Sequence, residues 1–407
     1  MLKKERSQVF RDPIYGYIHV DYEIITEIIN TKVFQRLRRI RQLSGVQMVY
    51  HGAEHSRFSH SLGVYHNANR FLLVSELKST LNEREKLLFL CAALLHDIGH
   101  GPYSHAFEDV FDLDHEKIGA RLIVENEELR KILNKVDDNF ALDIASIILK
   151  ENKFPLLQQL ISSQLDVDRL DYLLRDAYFT GTSYGNIDID RLIRVLTIKD
   201  NNVLFRESGI HAIENYLISR YHMYWQVYYH RVSRIYEVIL EKTYLRIKDL
   251  LKENYEFNNI IEPLAQFINN NNDLNSFLLL DDFYINTLFN SFQFTEDKIL
   301  KVLANDFINR NIWYSIDDTP NNQNQINTIK NSMTDLEQKY FTASRTVFET
   351  TYKDNNKNFG DNINILLEDG SVSTLFKESK IIESLSQSGS KRDPKFFYKK
   401  LWNKYLL

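Results

Sequence analysis

Apolar residues recur along most of this chain at intervals of three and four, the spacing of a helix that buries one face. In DYEIITEIIN, Ile24, Ile25, Ile28 and Ile29 fall on one side. The same periodicity predicts helices over Tyr22–Ile29, Val33–Leu43, Ser59–Leu77, Glu83–His96, His115–Glu125, Pro155–Asp176, Ile210–Asp249 and Thr295–Asn311. Strand-like alternation is confined to TIKDNNVLFR, around an Asp-Asn-Asn turn, and NINILLEDGSVSTL, with Asp-Gly at the turn. Both predict hairpins. Only 13 glycines and 6 prolines interrupt 407 residues, so the expected fold is mainly α with a few small β-hairpins.

The stretches ENYEFNNI, NNNND, PNNQNQ, KDNNKNFGDN and SQSGSKRD predict loops in the C-terminal half. All 12 histidines lie at or before His230. A histidine-based site therefore belongs to the first part of the chain. The expected division is a catalytic core over 1–235 and a mostly helical region with a small β element over 236–407, which supports the core or builds an oligomer interface.

Charge and cysteine content narrow the function. A net charge of −5 makes nucleic acid a secondary partner and leaves room for a local basic pocket. The single cysteine, Cys91, sits in the apolar run FLCAALL, which excludes intrachain disulfides and thiolate metal sites. No apolar stretch follows the basic residues of MLKKERSQVFRDP, and no segment has the apolar length that spans a bilayer. The cytoplasm is the default location, with no membrane partner.

Chemistry concentrates where one apolar helix ends. LLHDIGHGPYSH, Leu94–His105, follows FLCAALL and holds three histidines, an aspartate, two glycines and a proline. Gly99 is expected at a helix C-cap and Pro102 in the first turn of the next helix. His96 and Asp97 then close one helix, His100 lies on the connector and His105 rides the next. Neighbours on a helix point about 100° apart, so His96 and Asp97 can flank a metal only with ligands from elsewhere. HGAEHSRFSHSLGV offers His51, His55, Arg57 and His60, with Ser59 a predicted N-cap. QLDVDRLDYLLRD sets Asp168, Asp171 and Arg175 on a polar stripe opposite Leu170, Leu173 and Leu174. Mixed imidazole and carboxylate ligands suit Fe, Mn, Zn or Ni, whereas Mg alone prefers oxygen.

His60, His96-Asp97 and Asp168 together resemble the H…HD…D metal signature of the HD-domain phosphohydrolases. More closely, RDPIYGYIHV, FQRLRRIRQL, HSRFSHSLGV, LLHDIGHGPYSHAFE, DHEKIGA and LDVDRLDYLLRDAYFTG are similar to the deoxynucleoside triphosphate triphosphohydrolases. That family includes the mammalian SAM-and-HD-domain enzyme and its bacterial relatives. The likeness runs in order from Arg11 to about Val232 and continues more weakly through NINILLEDGSVSTLF and KIIESLS.

The resemblance implies an HD-domain helical core and hydrolysis of a dNTP to deoxynucleoside and tripolyphosphate, by water attack at the α-phosphorus. It implies one divalent metal on His60, His96, Asp97 and Asp168, with further Mg accompanying the triphosphate. His115 matches the general acid, with Glu108 to orient or protonate it, where the mammalian enzyme has Asp. His100 and His105 match histidines near the α-phosphate. Arg57, Arg169 and Arg220, with Tyr172, match the groups that grip the triphosphate, and Arg169 replaces a mammalian Lys. Asp176 matches the acid on the sugar 3′-hydroxyl, Gln42 and Leu43 the pair along the 2′ edge, and Tyr228 a ring on sugar or base. His222 and His230 are accessory candidates.

The family also implies a homo-oligomer, tetramer or dimer, and a nucleotide effector bound at its interface. There the chain departs: Asn30 stands where activated members carry the Asp that reads guanine, while Gln35 and Arg38 persist. An amide offers one acceptor and a donor where a carboxylate pairs with two N–H groups, so weakened or absent GTP activation is expected. Two other readings fit the same scaffold: a phosphohydrolase of monophosphates, ppGpp-like nucleotides or oligonucleotides, and a non-catalytic nucleotide-binding regulator.

Overall fold

The computed structural model describes residues 3–257, 259–270, 273–349, 362–387 and 391–400. Its centre is the helix Glu83–Leu95, buried on every side from Leu87 to Leu95. A sequence apolar all round requires such a position. Asn82 and Glu85 close its N-terminus as a capping box, and Cys91 is buried within it. Against it pack Arg57–Phe71, Phe140–Ile148 and Pro155–Ile161. Val167–Thr180 lies on Arg57–Phe71, and His115–Glu125 lies on Phe140–Ile148. A mainly helical core with small sheets results.

Several predicted helices are interrupted, each for a local reason. Val33–Leu43 stops as Lys32–Arg36 plus a 3-10 turn, Leu37–Arg39. Ile40 and Arg41 are then drawn out of the helix: the Ile40 carbonyl accepts from Arg57 N, and Arg41 pairs with Ser56. Ser59–Leu77 becomes Arg57–Phe71 and Ser75–Thr80. Ser59 is therefore inside the helix rather than its N-cap, its hydroxyl donating to the Ser56 carbonyl at 2.8 Å. Pro155–Asp176 breaks between Ile161 and Val167, where Asp166 caps the second helix by accepting from Arg169 N. Ile210–Asp249 breaks into Ile210–Met223, the wide π-turn Tyr224–Tyr228 and Arg231–Lys252, with His230 Nδ1 capping the last. The expected boundary at 235/236 falls within that last helix.

Gly99 also differs from expectation. The helix closes at His96 with right-handed geometry, and Gly99 does not adopt positive φ. Its side chain is missing for space: a Cβ there would stand 2.0 Å from the His115 carbonyl and 2.4 Å from Gly119 N. Pro102 lies in the turn, and the next helix begins at His105.

Both predicted hairpins form. β3 (Leu196–Lys199) pairs with β4 (Asn202–Arg206) across Asp200 and Asn201, both at positive φ, and β7 (Asn364–Leu366) with β8 (Val372–Thr374) beside Gly370 at φ +83°. Parallel pairing of β4 with β7 joins them into one four-stranded sheet. Two further sheets were not predicted. β1 (Lys3–Asp12) and β2 (Gly16–Tyr22) form a charged hairpin, and β5 (Tyr314–Asp317), β9 (Lys391–Tyr398) and β6 (Thr342–Glu349) form a third sheet. Lys391, Arg392 and Asp393, expected in a loop, thus belong to a strand. PNNQNQ, also expected as a loop, opens the helix Gln323–Asn331, which Ile326 anchors in the core. ENYEFNNI falls at the end of Arg231–Lys252 and the turn beyond it, apart from residue 258. Residues 353–361 of KDNNKNFGDN, 271–272 of NNNND and 388–390 of SQSGSKRD lie outside the described residues.

Candidate active site

His60, in the first turn of Arg57–Phe71, His96 and Asp97, at the end of the central helix, and Asp168, in the first turn of Val167–Thr180, meet at one point. His60 Nε2 lies 3.0 Å from Asp168 Oδ1 and 3.6 Å from Asp97 Oδ2, and His96 Nε2 lies 3.3 Å from Asp97 Oδ1 and 3.6 Å from Asp168 Oδ1. Ligands about 2.1 Å from a shared divalent ion stand about 3–3.5 Å apart, which these separations match.

Hydrogen bonds behind the cluster fix which ring nitrogens face it. His60 donates from Nδ1 to Asp171 Oδ2 at 2.8 Å, and His96 donates from Nδ1 to the Ala93 carbonyl at 2.9 Å. Each Nε2 is therefore the nitrogen turned toward the carboxylate oxygens, an arrangement that suits a cation between them. His96 Nε2 is buried and makes no well-formed hydrogen bond. Burial opposes charging of His60, but hydrogen bonds to Asp168 and Asp171 prevail and push it up to about 10. Burial likewise raises Asp168, but its contacts with the two imidazoles outweigh that and hold it well below the usual carboxylate range. The donor set fits a divalent metal.

Asp171 and Arg175, on the predicted polar stripe, are wholly buried. Arg175 grips both oxygens of Asp171 at 2.9 and 3.0 Å and Asp12 of β1 at 2.8 Å. Gly63 leaves the room: a Cβ there would meet Asp171 Oδ1 at 1.8 Å.

Beside this cluster Glu108 ties the remaining histidines together. Its Oε1 lies 2.7 Å from His100 Nδ1, and its Oε2 lies 3.1 Å from His115 Nδ1 and 3.4 Å from His105 Nδ1. The His100 and His115 rings stack at 3.8 Å, and His100 Nε2 reaches Asp97 Oδ1 at 3.3 Å. Burial, then the positive Arg57 and His115, push His100 down to about 4. Hydrogen bonds from the three imidazoles hold Glu108 far below the ordinary range, against burial. His105 stands at the rim, its side chain 72% exposed.

One cavity of about 550 Å³ joins the two clusters to a wall made by Gln42, Leu43, Tyr172, Asp176 and Tyr228. Asp176 accepts from Tyr228 OH at 2.7 Å and pairs with His55 Nε2 at 2.7 Å. Arg57 enters it with Nη1 on Asp97 Oδ2 at 2.6 Å and Nε and Nη2 on Ser104 Oγ. Arg169 and Arg220 do not line it. They lie near Tyr172, Arg169 beside Asp166 at 3.3 Å and Arg220 over the Tyr224 ring at 5.3 Å. His222 packs near Tyr184, and His230 near Tyr50, both away from the cavity lining. Sequence reasoning missed Ser104, Tyr229, Arg234, Glu237 and Val347 in the lining. Ser104 lay in plain view in the histidine-rich stretch; Val347, on β6, gave no signal at all.

Away from the cavity, Asn30 is exposed at the end of the helix Glu23–Asn30. Gln35 Nε2 donates to the Ile29 carbonyl at 2.7 Å, and Arg38 Nε donates to Gln35 Oε1 at 2.8 Å. The three share one surface.

The HD domain family matches residues 57–176, and the HD associated region matches residues 187–388. The chain is 39% identical over 406 residues to the uncharacterized protein YwfO of Bacillus subtilis, covering 98% of this chain and 93% of that one. A phosphohydrolase from Bacteroides thetaiotaomicron superposes with a TM-score of 0.84 at 31% identity, covering 97% of this chain and all (100%) of that one. The deoxynucleoside triphosphate triphosphohydrolase SAMHD1 homolog of Dictyostelium discoideum is 32% identical over 293 residues, 65% of this chain and 55% of that protein. The chain belongs to the HD-domain hydrolase family. No helix among the described residues is long and apolar enough to cross a membrane.

Proposed function

We propose that this protein is a metal-dependent dNTP triphosphohydrolase that releases deoxynucleoside and tripolyphosphate. The observation that carries this reading is the single cavity running from the four-ligand cluster to the Leu43, Asp176 and Tyr228 wall. Such a cavity holds a phosphate at one end and a sugar at the other. His60, His96, Asp97 and Asp168 would hold the metal, which supplies charge to polarise a phosphoryl oxygen and a bound water of lowered pKa. His115 lines the cavity with its Nδ1 committed to Glu108, so Nε2 is the nitrogen that delivers a proton to the departing 5′-oxygen. Glu108 fixes that ring. His100, stacked on His115 and disfavoured as a cation, orients without competing for the proton. His105 at the rim and Arg57 face the phosphates. Asp176 accepts from the 3′-hydroxyl, and Gln42 and Leu43 close the 2′ edge against a ribose.

One observation favours a shorter phosphate ester: Arg169 and Arg220 do not line the cavity. Chromatography of the products from each dNTP, with Mg, Mn or Fe, separates the readings. Tripolyphosphate with deoxynucleoside supports the proposal. Orthophosphate, or turnover of monophosphates alone, replaces it with the second reading. Oligomer assembly and an effector site around Asn30, Gln35 and Arg38 rest on the family likeness.

A further inference from the structure

The acid Asp282 belongs to neither cluster and lies in the C-terminal half, at the first turn of the helix Asp282–Phe292, yet it is completely buried. Its Oδ1 accepts the backbone N–H of Tyr103 at 2.9 Å, and its Oδ2 accepts the backbone N–H of Arg41 at 2.9 Å. Both residues stand immediately before cavity residues: Tyr103 before Ser104 and His105, Arg41 before Gln42 and Leu43. One carboxylate therefore sets two walls of the site.

The turn it holds is unfavourable on its own. Tyr103 and Ser104 have φ of +58° and +49°, left-handed values that cost a side-chain-bearing residue energy and persist only when surroundings impose them. The imposition is visible. Besides the Asp282 bond, Tyr103 OH donates to Asn286 Oδ1 at 2.8 Å, and Asn286 Nδ2 donates to the Asp282 carbonyl at 2.7 Å. The reward is equally visible: Ser104 Oγ accepts from Arg57 Nε and Nη2 at 2.9 and 2.8 Å, aligning the guanidinium that also meets Asp97. Arg36 secures the neighbouring backbone, donating to the His100 carbonyl at 2.9 Å and to the Leu280 carbonyl two residues before Asp282.

We infer that Asp282 is a positioning residue for the active site, a brace from the C-terminal region that holds the Tyr103–Ser104 turn and, through Ser104, the aim of Arg57. It touches no substrate. The inference rests on the proposed reaction only for its effect on rate, because the brace itself is read from the backbone.

The test uses the full chain. Asp282→Asn keeps the volume and one acceptor. Hydrogen exchange of the 100–108 segment should quicken about tenfold, the opening expected on losing one charge-assisted bond. Exchange in Glu83–Leu95 and metal content should stay as in the native chain. With a substrate the native chain turns over, kcat should fall about tenfold, and Asp282→Asn with Ser104→Ala should be no slower than the slower single variant. Unchanged exchange at 100–108, faster exchange spread over the whole chain, or fully additive losses in kcat would overturn the inference. Should Asp282→Asn not fold, Asn286→Ala removes the Tyr103 hydroxyl's acceptor and the donor to the Asp282 carbonyl, leaves the Asp282 carboxylate in place, and must quicken the same segment. If no dNTP is hydrolysed by the native chain, the proposed function fails while the exchange result still decides the brace.

Discussion

His60 Nδ1 stands 2.8 Å from Asp171 Oδ2, and that carboxylate is held in turn by Arg175. The residue that turns a ligand toward the metal is thus itself fixed from two sides, in a region closed to water. Asp171→Asn should weaken metal binding about 10- to 100-fold, the loss typical of partners behind a ligand. Competition with a chelator, read as bound metal per chain, measures it. An unchanged affinity would show that His60 keeps its orientation unaided.

Glu108 meets three imidazoles through two oxygens. Glu108→Gln should leave metal content intact and lower kcat about 10²-fold or more, the range for disturbing a general acid. Steady-state kinetics beside metal analysis separates this from ligand loss. A fall in metal content equal to the fall in rate would contradict the assignment.

Asn30 is exposed beside Gln35 and Arg38 on the surface implied for an effector. Turnover by the native chain is expected to rise little with micromolar GTP, and Asn30→Asp to respond more strongly. Titration of the dNTP rate with GTP reads both. Full dependence of the native rate on GTP sinks this reading.

His66 lies against Tyr15 with ring centroids 4.5 Å apart, and burial, helped by the charge of Arg70, pushes it down to about 4. The folded state therefore prefers the neutral ring. Its contribution is complete above about pH 6.5, where the unfolded imidazole is also neutral, and is lost as pH falls toward 4. Allowing for partial exposure, the native chain should lose about 1–2 kcal/mol more than His66→Phe between pH 7 and pH 5. Urea unfolding at the two pH values tests it, and equal losses would remove His66 from the account.

Helix positions in the core were legible because an apolar stripe is a local property of sequence. Glu83–Leu95 and His115–Glu125 end within a residue of where the pattern places them. Interruptions were not legible, because distant groups cause them: Arg57 N holds Ile40 from a segment beyond the next turn. The sheet β5–β9–β6 was hidden for a related reason. Lys391–Asp393 looks like a charged loop, and only pairing with Val347–Glu349 makes it a strand. In the site, the titratable residues were readable from motif and order. The groups that tune them were less so, since Ser104 and Asp282 are ordinary residues until the fold sets them beside Arg57 and Tyr103.

The contact of Gly99 with the His115 carbonyl carries a consequence for how such a site can change. Because two main chains touch there, the spacing between the ligand-bearing connector and the helix carrying His115 is independent of any side chain's volume. Drift in the surrounding side chains cannot alter that spacing. The wall that includes Leu43, Tyr228, Tyr229 and Val347, by contrast, is lined by side chains whose bulk contributes to its shape. New substrate preferences can therefore be acquired on one side of the cavity while the reacting side is inherited unaltered.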